Sequence, residues 1–186
     1  MVVSLSGGVG LVLGLTSQKL GVQLNSATGF HDIVIETGLD FVVNDAIASG
    51  SINGLLTARD KDIANRLKEL DTFASELVAE VNTIHSANFN LDGVDGVALF
   101  TPLTGPVAGA AKRISLNTAL ADEPRLLAAS SVANEVPGNG AGAQAIVELE
   151  DAKIANGNTQ TLSESINQCL SALAMGVQEA DAAEKG

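Results

Sequence analysis

The chain has 186 residues and a net charge of −12, from 22 acidic against 10 basic side chains. That length allows one domain with a real core or two small ones. Aromatics make up only 3%, with no Trp and no Tyr, so the core must come from Leu, Val, Ile and Ala, and no stacking platform for bases or sugars exists. Nucleic-acid binding, which needs a basic patch to neutralise phosphates, is excluded.

A single cysteine, Cys169, excludes an intrachain disulfide and a zinc cluster of cysteines. At an inward helix position it reads as a buried structural thiol. No apolar run approaches the ~20 residues of a membrane-spanning helix. MVVSLSGGVG lacks the basic start and apolar core of a signal peptide. It starts inside a strand pattern, and the tail Asp181–Gly186 ends in helical sequence, which suggests a piece of a longer chain.

In chain order, residues 1–48 read as a small β-rich region. Short strands are expected at Val2–Leu5, Leu11–Leu13, Val22–Leu24, Asp32–Ile35 and Phe41–Val43, forming a small antiparallel sheet with glycine-marked turns. Residues 49–186 read as a helical rod domain. Its long helix, about 51–87, carries Ile63, Leu67, Leu70, Ala74, Leu77, Val81 and Ile84 in alternating steps of four and three. This is a heptad seam suited to lengthwise packing against other helices.

A polar, glycine-punctuated loop follows at Asn88–Gly96, and Arg113–Asn117 has strand character. Later helices are expected at about 122–131, 143–154 and 161–180, the last opening on a Thr161–Glu164 capping box. The fold class is therefore mainly α with a small β region: an antiparallel helical bundle on one long helix, plus a small antiparallel sheet.

Chemistry-bearing residues are sparse. His85 reads as a capping or packing residue near a helix C-terminus, where the dipole favours a cation. His31-Asp32 reads as a solvated pair at a strand edge. The two histidines and one cysteine are too far apart in sequence to build a triad or a transition-metal site. Gly7-Gly8-Val9-Gly10 is not followed by Lys-Ser/Thr or a helix, so it reads as a turn rather than a phosphate loop.

Asn88-Phe89-Asn90-Leu91-Asp92-Gly93 sets oxygens at the first, third and fifth positions of an EF-hand-type loop. Leu99, however, stands where the bidentate Glu belongs, so a turn held by side-chain-to-backbone bonds is the main reading and weak calcium binding the rival. Glu69, Asp71, Glu76 and Glu80 read as a solvated face. Arg59, Asp60 and Asp71 are the candidate subunit-contact residues. No catalytic, cofactor-binding or metal-binding residue is assigned, and no cofactor.

Ser49–Asp60, SGSINGLLTARD, resembles the "GG-x-I/L-x-G-L-L-x-x-R-D" start of a long helix in the flagellar hook-associated protein 1 family, the hook–filament junction proteins. Leu70-Asp71 with Phe73-Ala74 resembles "L-D-x-L/F-A". Val81-Asn82-Thr83-Ile84-His85 with Asn90–Gly93 resembles "V-N-x-x-H … D-L-D/N-G". Leu99-Phe100 stands where that family has Phe-Phe.

Ile114–Pro124 with Leu127–Ser130, Gly138–Leu149 and Thr161–Gly176 follow in the family's order, so the resemblance covers about 49–180, with the first 45 residues matching loosely. A family Tyr is missing from the last helix, near Ile166 or Asn167. Only 13 residues separate Phe100 from Ile114, where larger members insert outer domains.

The resemblance implies a structural component of the bacterial flagellum that joins hook to filament as a ring of axial subunits, exported by the flagellar type III route to an extracellular position. Its partners would be neighbouring copies of itself, hook protein and the second junction protein, with no nucleic acid and no membrane. The chain by itself is expected to be monomeric. The rival structural reading is another axial protein, the second junction protein or a flagellin-like one. An enzyme reading, a muramidase-like partner of a flagellar rod, needs paired acids that are not evident.

Overall fold

The computed structural model describes residues 2–38 and 40–185, with side chains described as far as Gln178. Expectations that fall on Met1 or on the side chains of the tail lie outside the described residues. The contacts divide the chain into two units, Met1–Ile63 with Gly176–Gly186, and Ala64–Met175, rather than at 48/49.

The first unit holds two three-stranded antiparallel sheets instead of one. In the first, β1 (Val2–Ser4) pairs with β2 (Gly10–Leu13), and β2 with β3 (Thr16–Ser17). The Leu13↔Thr16 pair closes on Gly14-Leu15, and Gly14 has φ 67°, the left-handed backbone that a two-residue hairpin turn of this kind needs at its first central position. In the second, β4 (Leu20–Leu24) pairs with β5 (His31–Ile35), and β5 with β6 (Phe41–Val42).

Val34, Ile35 and Val43 are the buried apolar residues there. Asp32 stitches the sheet's ends: its two carboxylate oxygens accept from Asn25 Nδ2 and Asn44 Nδ2, each at 2.9 Å. Asn44 Oδ1 in turn accepts the Ile33 amide at 2.8 Å. Asp32 is therefore a half-buried structural clamp, not half of a solvated edge pair. Helix α1 (Gly50–Thr57) follows and leads into a π turn at Ala58–Asp62.

The second unit is built on α2 (Ile63–Ser86). Val81 packs with Leu149 and Ile154 in a cluster that Leu77, Ile84, Leu99, Phe100, Ile146 and Leu162 flank. Around it lie α3 (Ala110–Arg113), α4 (Thr118–Asp122), α5 (Ala141–Val147) and the first half of α6 (Leu162–Lys185). The heptad seam divides: Ala74 and Val81 are buried, Leu77 and Ile84 half-buried, but Ile63, Leu67 and Leu70 are 55%, 49% and 45% exposed. The periodicity is right along its whole length. The apolar chain that covers it reaches only the C-terminal half, so the upstream seam residues are not core.

Three expected elements differ. In place of a helix over 122–131 stand α4 and a short 3-10 turn at Pro124–Leu126. Asn117 caps α4 by accepting the Ala119 amide, and Pro124, without an N–H, stops it two residues after Asp122. Beyond the turn the backbone is extended, and Ser130 exchanges two backbone hydrogen bonds with Phe89, at 2.7 and 3.2 Å.

The expected helix 143–154 is α5 followed by a 3-10 turn at Glu148–Glu150, which turns Leu149 inward. Arg113–Asn117 forms only a single bridge, Phe100↔Leu116, rather than a strand. The Thr161–Glu164 box is complete. The Thr161 amide donates to Glu164 Oε2 at 2.8 Å, and the Glu164 amide donates to Thr161 Oγ1 at 3.1 Å.

The divided seam has a direct consequence for stability. Leu149→Ala should cost ~2–5 kcal/mol, as for other buried leucines. Leu67→Ala, at a half-exposed position, should stay within about 0.5 kcal/mol. Urea midpoints of the two variants check this; equal losses would mean that the upstream seam is covered.

Candidate functional site

In the second unit the polar residues of α2 form one row of grips on the backbone around it. Asp71 accepts the Gly109 amide at 2.6 Å and the Ala111 amide at 2.9 Å, where α3 begins. These two backbone bonds hold the Asp71 carboxyl below the usual aspartate range. Glu76 does the same for the Asn156-Gly157 turn, at 3.0 and 3.2 Å. Asp71 and Glu76 are thus built into the chain, not parts of a solvated face.

Asn82 mimics a peptide: its Oδ1 accepts the Phe100 amide at 2.8 Å and its Nδ2 donates to the Phe100 carbonyl at 3.0 Å. His85 is completely buried. Its Nε2 accepts the Ala128 amide at 2.9 Å, and its Nδ1 lies 2.5 Å from the Val97 carbonyl. Only a neutral ring protonated at Nδ1 satisfies both, so His85 is a packing residue but not the dipole-stabilised cation expected at a helix end.

Gly96 lies against the same place. A Cβ there would stand 2.3 Å from the His85 carbonyl oxygen and 2.5 Å from Ala128 Cβ. Asn82 and Gly96 were not singled out as contacts by sequence reasoning. The signal for Asn82 was its i, i+3 spacing to His85, which sets both on one helix face.

The calcium-like loop is occupied by its own bonds. Asn90 Oδ1 accepts the Asp92 and Val94 amides at 2.9 and 3.2 Å, Asn88 Nδ2 donates to the Ile84 carbonyl at 2.6 Å, and Asp92 pairs with Arg125. This is the side-chain-held turn, with its oxygens committed.

A polar cleft lies between α2 and α6, lined in part by Arg66, Glu69, Gln160 and Gln168. Its groups are already paired, Arg66 with Glu69 and Gln160 with Gln168, both at 2.6 Å. Cys169 is half-buried in a small depression beside Leu70, Phe73 and Ile166. Among the described residues no group of three or more His, Cys, Asp or Glu could hold a metal ion, and no helix is long and apolar enough to cross a membrane.

Arg59 and Asp60 belong to the first unit, on the π turn. Their fork closes at 2.5 Å (Nε–Oδ1) and 2.8 Å (Nη2–Oδ2). Arg59 Nη1 also donates to the His31 carbonyl at 2.6 Å, and the guanidinium lies 5.2 Å from the Phe30 ring centroid. The hydrogen bonds of the pair raise Arg59 and lower Asp60 in pKa. The structure does not bring the three candidate contact residues together as one site: Arg59 and Asp60 lie in one unit and Asp71 in the other.

Two outcomes follow. Gly96→Ala should destabilise by at least the ~1–3 kcal/mol of an overpacked core, because backbone rather than a flexible side chain stands in the way. A chemical-denaturation midpoint unchanged from the parent would contradict the close approach. Asp71 favours the folded state above the usual aspartate range, and that contribution disappears as pH falls through its lowered pKa. Asp71→Asn should therefore melt below the parent at neutral pH, with the gap narrowing on acidification; thermal melts across a pH series check the slope.

No curated protein sequence matches the chain. Residues 1–100 match the family model described as the flagellar hook-associated protein FlgK helical domain. That span takes in the β-rich region as well as the π turn, α2 and the Asn90 loop, and it is more than half of the chain. By this match, and with its long helix beside two small sheets, the chain belongs to the flagellar hook-associated protein FlgK family, a family of structural proteins of the flagellum.

Proposed function

We propose that this chain is a core part of the junction between hook and filament, working as one of a ring of axial subunits. One observation carries the reading: the distinctive polar residues of α2, Asp71, Glu76, Asn82 and His85, all hold backbone. A reaction centre needs a nucleophile, base or metal ligand left poised for substrate. Here those groups serve shape, so the chain acts by surface and not by catalysis.

A closed ring needs heterologous side-to-side contacts. Arg59 and Asp60 are the proposed contact pair. Asp71 contributes through the Gly109–Ala111 backbone that it holds. Neighbouring copies, hook protein and the second junction protein are the proposed partners, and the flagellar type III route delivers the protein to the outside. Until partners arrive, the net charge of −12 opposes self-association. Sedimentation should then show a species of 18.9 kDa. A closed ring formed by the chain alone would overturn that part.

The main test uses the full-length protein. Arg59→Ala and Asp60→Ala should each reduce swarming on soft agar while their melting curves stay near that of the parent, since exposed ion pairs contribute little to stability but set register between subunits. Normal swarming by both variants would remove the pair from the junction contact. A collapsed melt would assign the pair to the fold.

A further inference from the structure

The helical run from Gly50 to Ser86 contains one irregularity, the π turn Ala58–Asp62. Its signature is the Ile63 amide, which donates to the Ala58 carbonyl five residues back, where an α-helix would use Arg59. A π turn accommodates one residue more than the α turn it replaces and is rare for that reason, so something must favour it locally. Packing does not. No residue of α1 or of the π turn is buried, and the first buried residue of α2 is Ala74.

What the π turn does have is Arg59. Asp60 fixes the guanidinium plane through two bonds, Nη1 reaches the His31 carbonyl, and the planar group lies against the Phe30 ring. Phe30 and His31 stand where the β4–β5 connection meets β5. The fork, the carbonyl bond and the ring contact all require the guanidinium to point at that one place.

We propose that Ala58–Asp62 is a two-register segment. Arg59's grip on Phe30 and His31 holds the π register; releasing the grip lets the segment close into α-helix, with the Ile63 amide bonded to the residue-59 carbonyl. The registers differ by one residue of helical twist, roughly 100°, so the Arg59–Asp60 pair points in a different direction in each. The consequence for assembly rests on the junction reading above: a neighbouring subunit that competes for Arg59 or Asp60 selects the α register.

The test reads the carbonyl partner of the Ile63 amide by through-hydrogen-bond coupling in NMR of the intact chain. The parent should couple Ile63 to Ala58. In Arg59→Ala the coupling should move to the residue-59 carbonyl, with the helical circular dichroism retained. An Ile63–Ala58 coupling that persists in Arg59→Ala would overturn the proposal.

If that variant does not fold, a one-residue deletion of Lys61 carries the same test, because it removes the extra residue directly. A folded deletion variant with unbroken α bonding from Gly50 to Ser86 supports two accessible registers; an unfolded one shows that the π register is obligatory and overturns them. Neither readout involves assembly. A motility defect that fails to appear therefore bears on the junction contact and not on the register.

Discussion

The constraint on which the second unit depends is the backbone between Ser86 and Leu162. No helix there exceeds the seven residues of α5, and no strand ladder forms, so most peptide groups lack a regular partner. Peptide groups buried without hydrogen bonds cost about 1–3 kcal/mol each, which would erase the stability of a small domain within a few residues. Side chains of α2 meet the need. Asp71, Glu76, Asn82 and His85 each bind two backbone groups of that segment or of the turn before α6. The long helix is both one wall of the core and a rail of hydrogen-bonding groups. No buried side-chain nitrogen or oxygen among the described residues is left without a partner.

Legibility in the sequence follows the range of the interaction. The Thr161–Glu164 box and the Gly14 turn were readable because they are settled within four residues, by capping chemistry and by backbone freedom. The length of the long helix was readable from its period. Which half of its seam is covered was not, because that depends on where Leu149, Ile154 and Leu162 arrive in space. Residues 127–131 failed as a helix for a related reason: Ser130 has a distant partner, Phe89, and the backbone pairing outweighs weak local propensity. The candidate contact residues were legible as distinctive, but their intrachain partners lie 28 residues away for Arg59 and 38–40 away for Asp71.

The first unit applies the same solution on a smaller scale. Its strands are too short to stand alone as pairs, and Asp32, with Asn25 and Asn44, ties the ends of the second sheet together. Arg59 adds a tie from the π turn to the end of β5. Large apolar residues such as Val22, Leu24 and Phe41 remain well exposed here, so hydrogen-bonded clamps carry a larger share of the local order than burial does.

This changes the meaning of the motif itself. In the pattern that the chain resembles, "L-D" and "V-N-x-x-H" contribute Asp71, Asn82 and His85, and each of the three holds backbone. A row of hydroxyl, imidazole and carboxylate groups would suggest chemistry if read only by residue type. Geometry decides otherwise, because an imidazole with both nitrogens occupied by Val97 and Ala128 has none to offer a substrate. Surplus acidic charge at the surface gives solubility without a binding site. What distinguishes this helix is the spacing of its grips, at 71, 76, 82 and 85, and that spacing has to match an irregular chain laid against it. A structural part needs that match more than it needs any reactive group: its function is to present a fixed outer surface, and the fixing is done from inside by these four side chains.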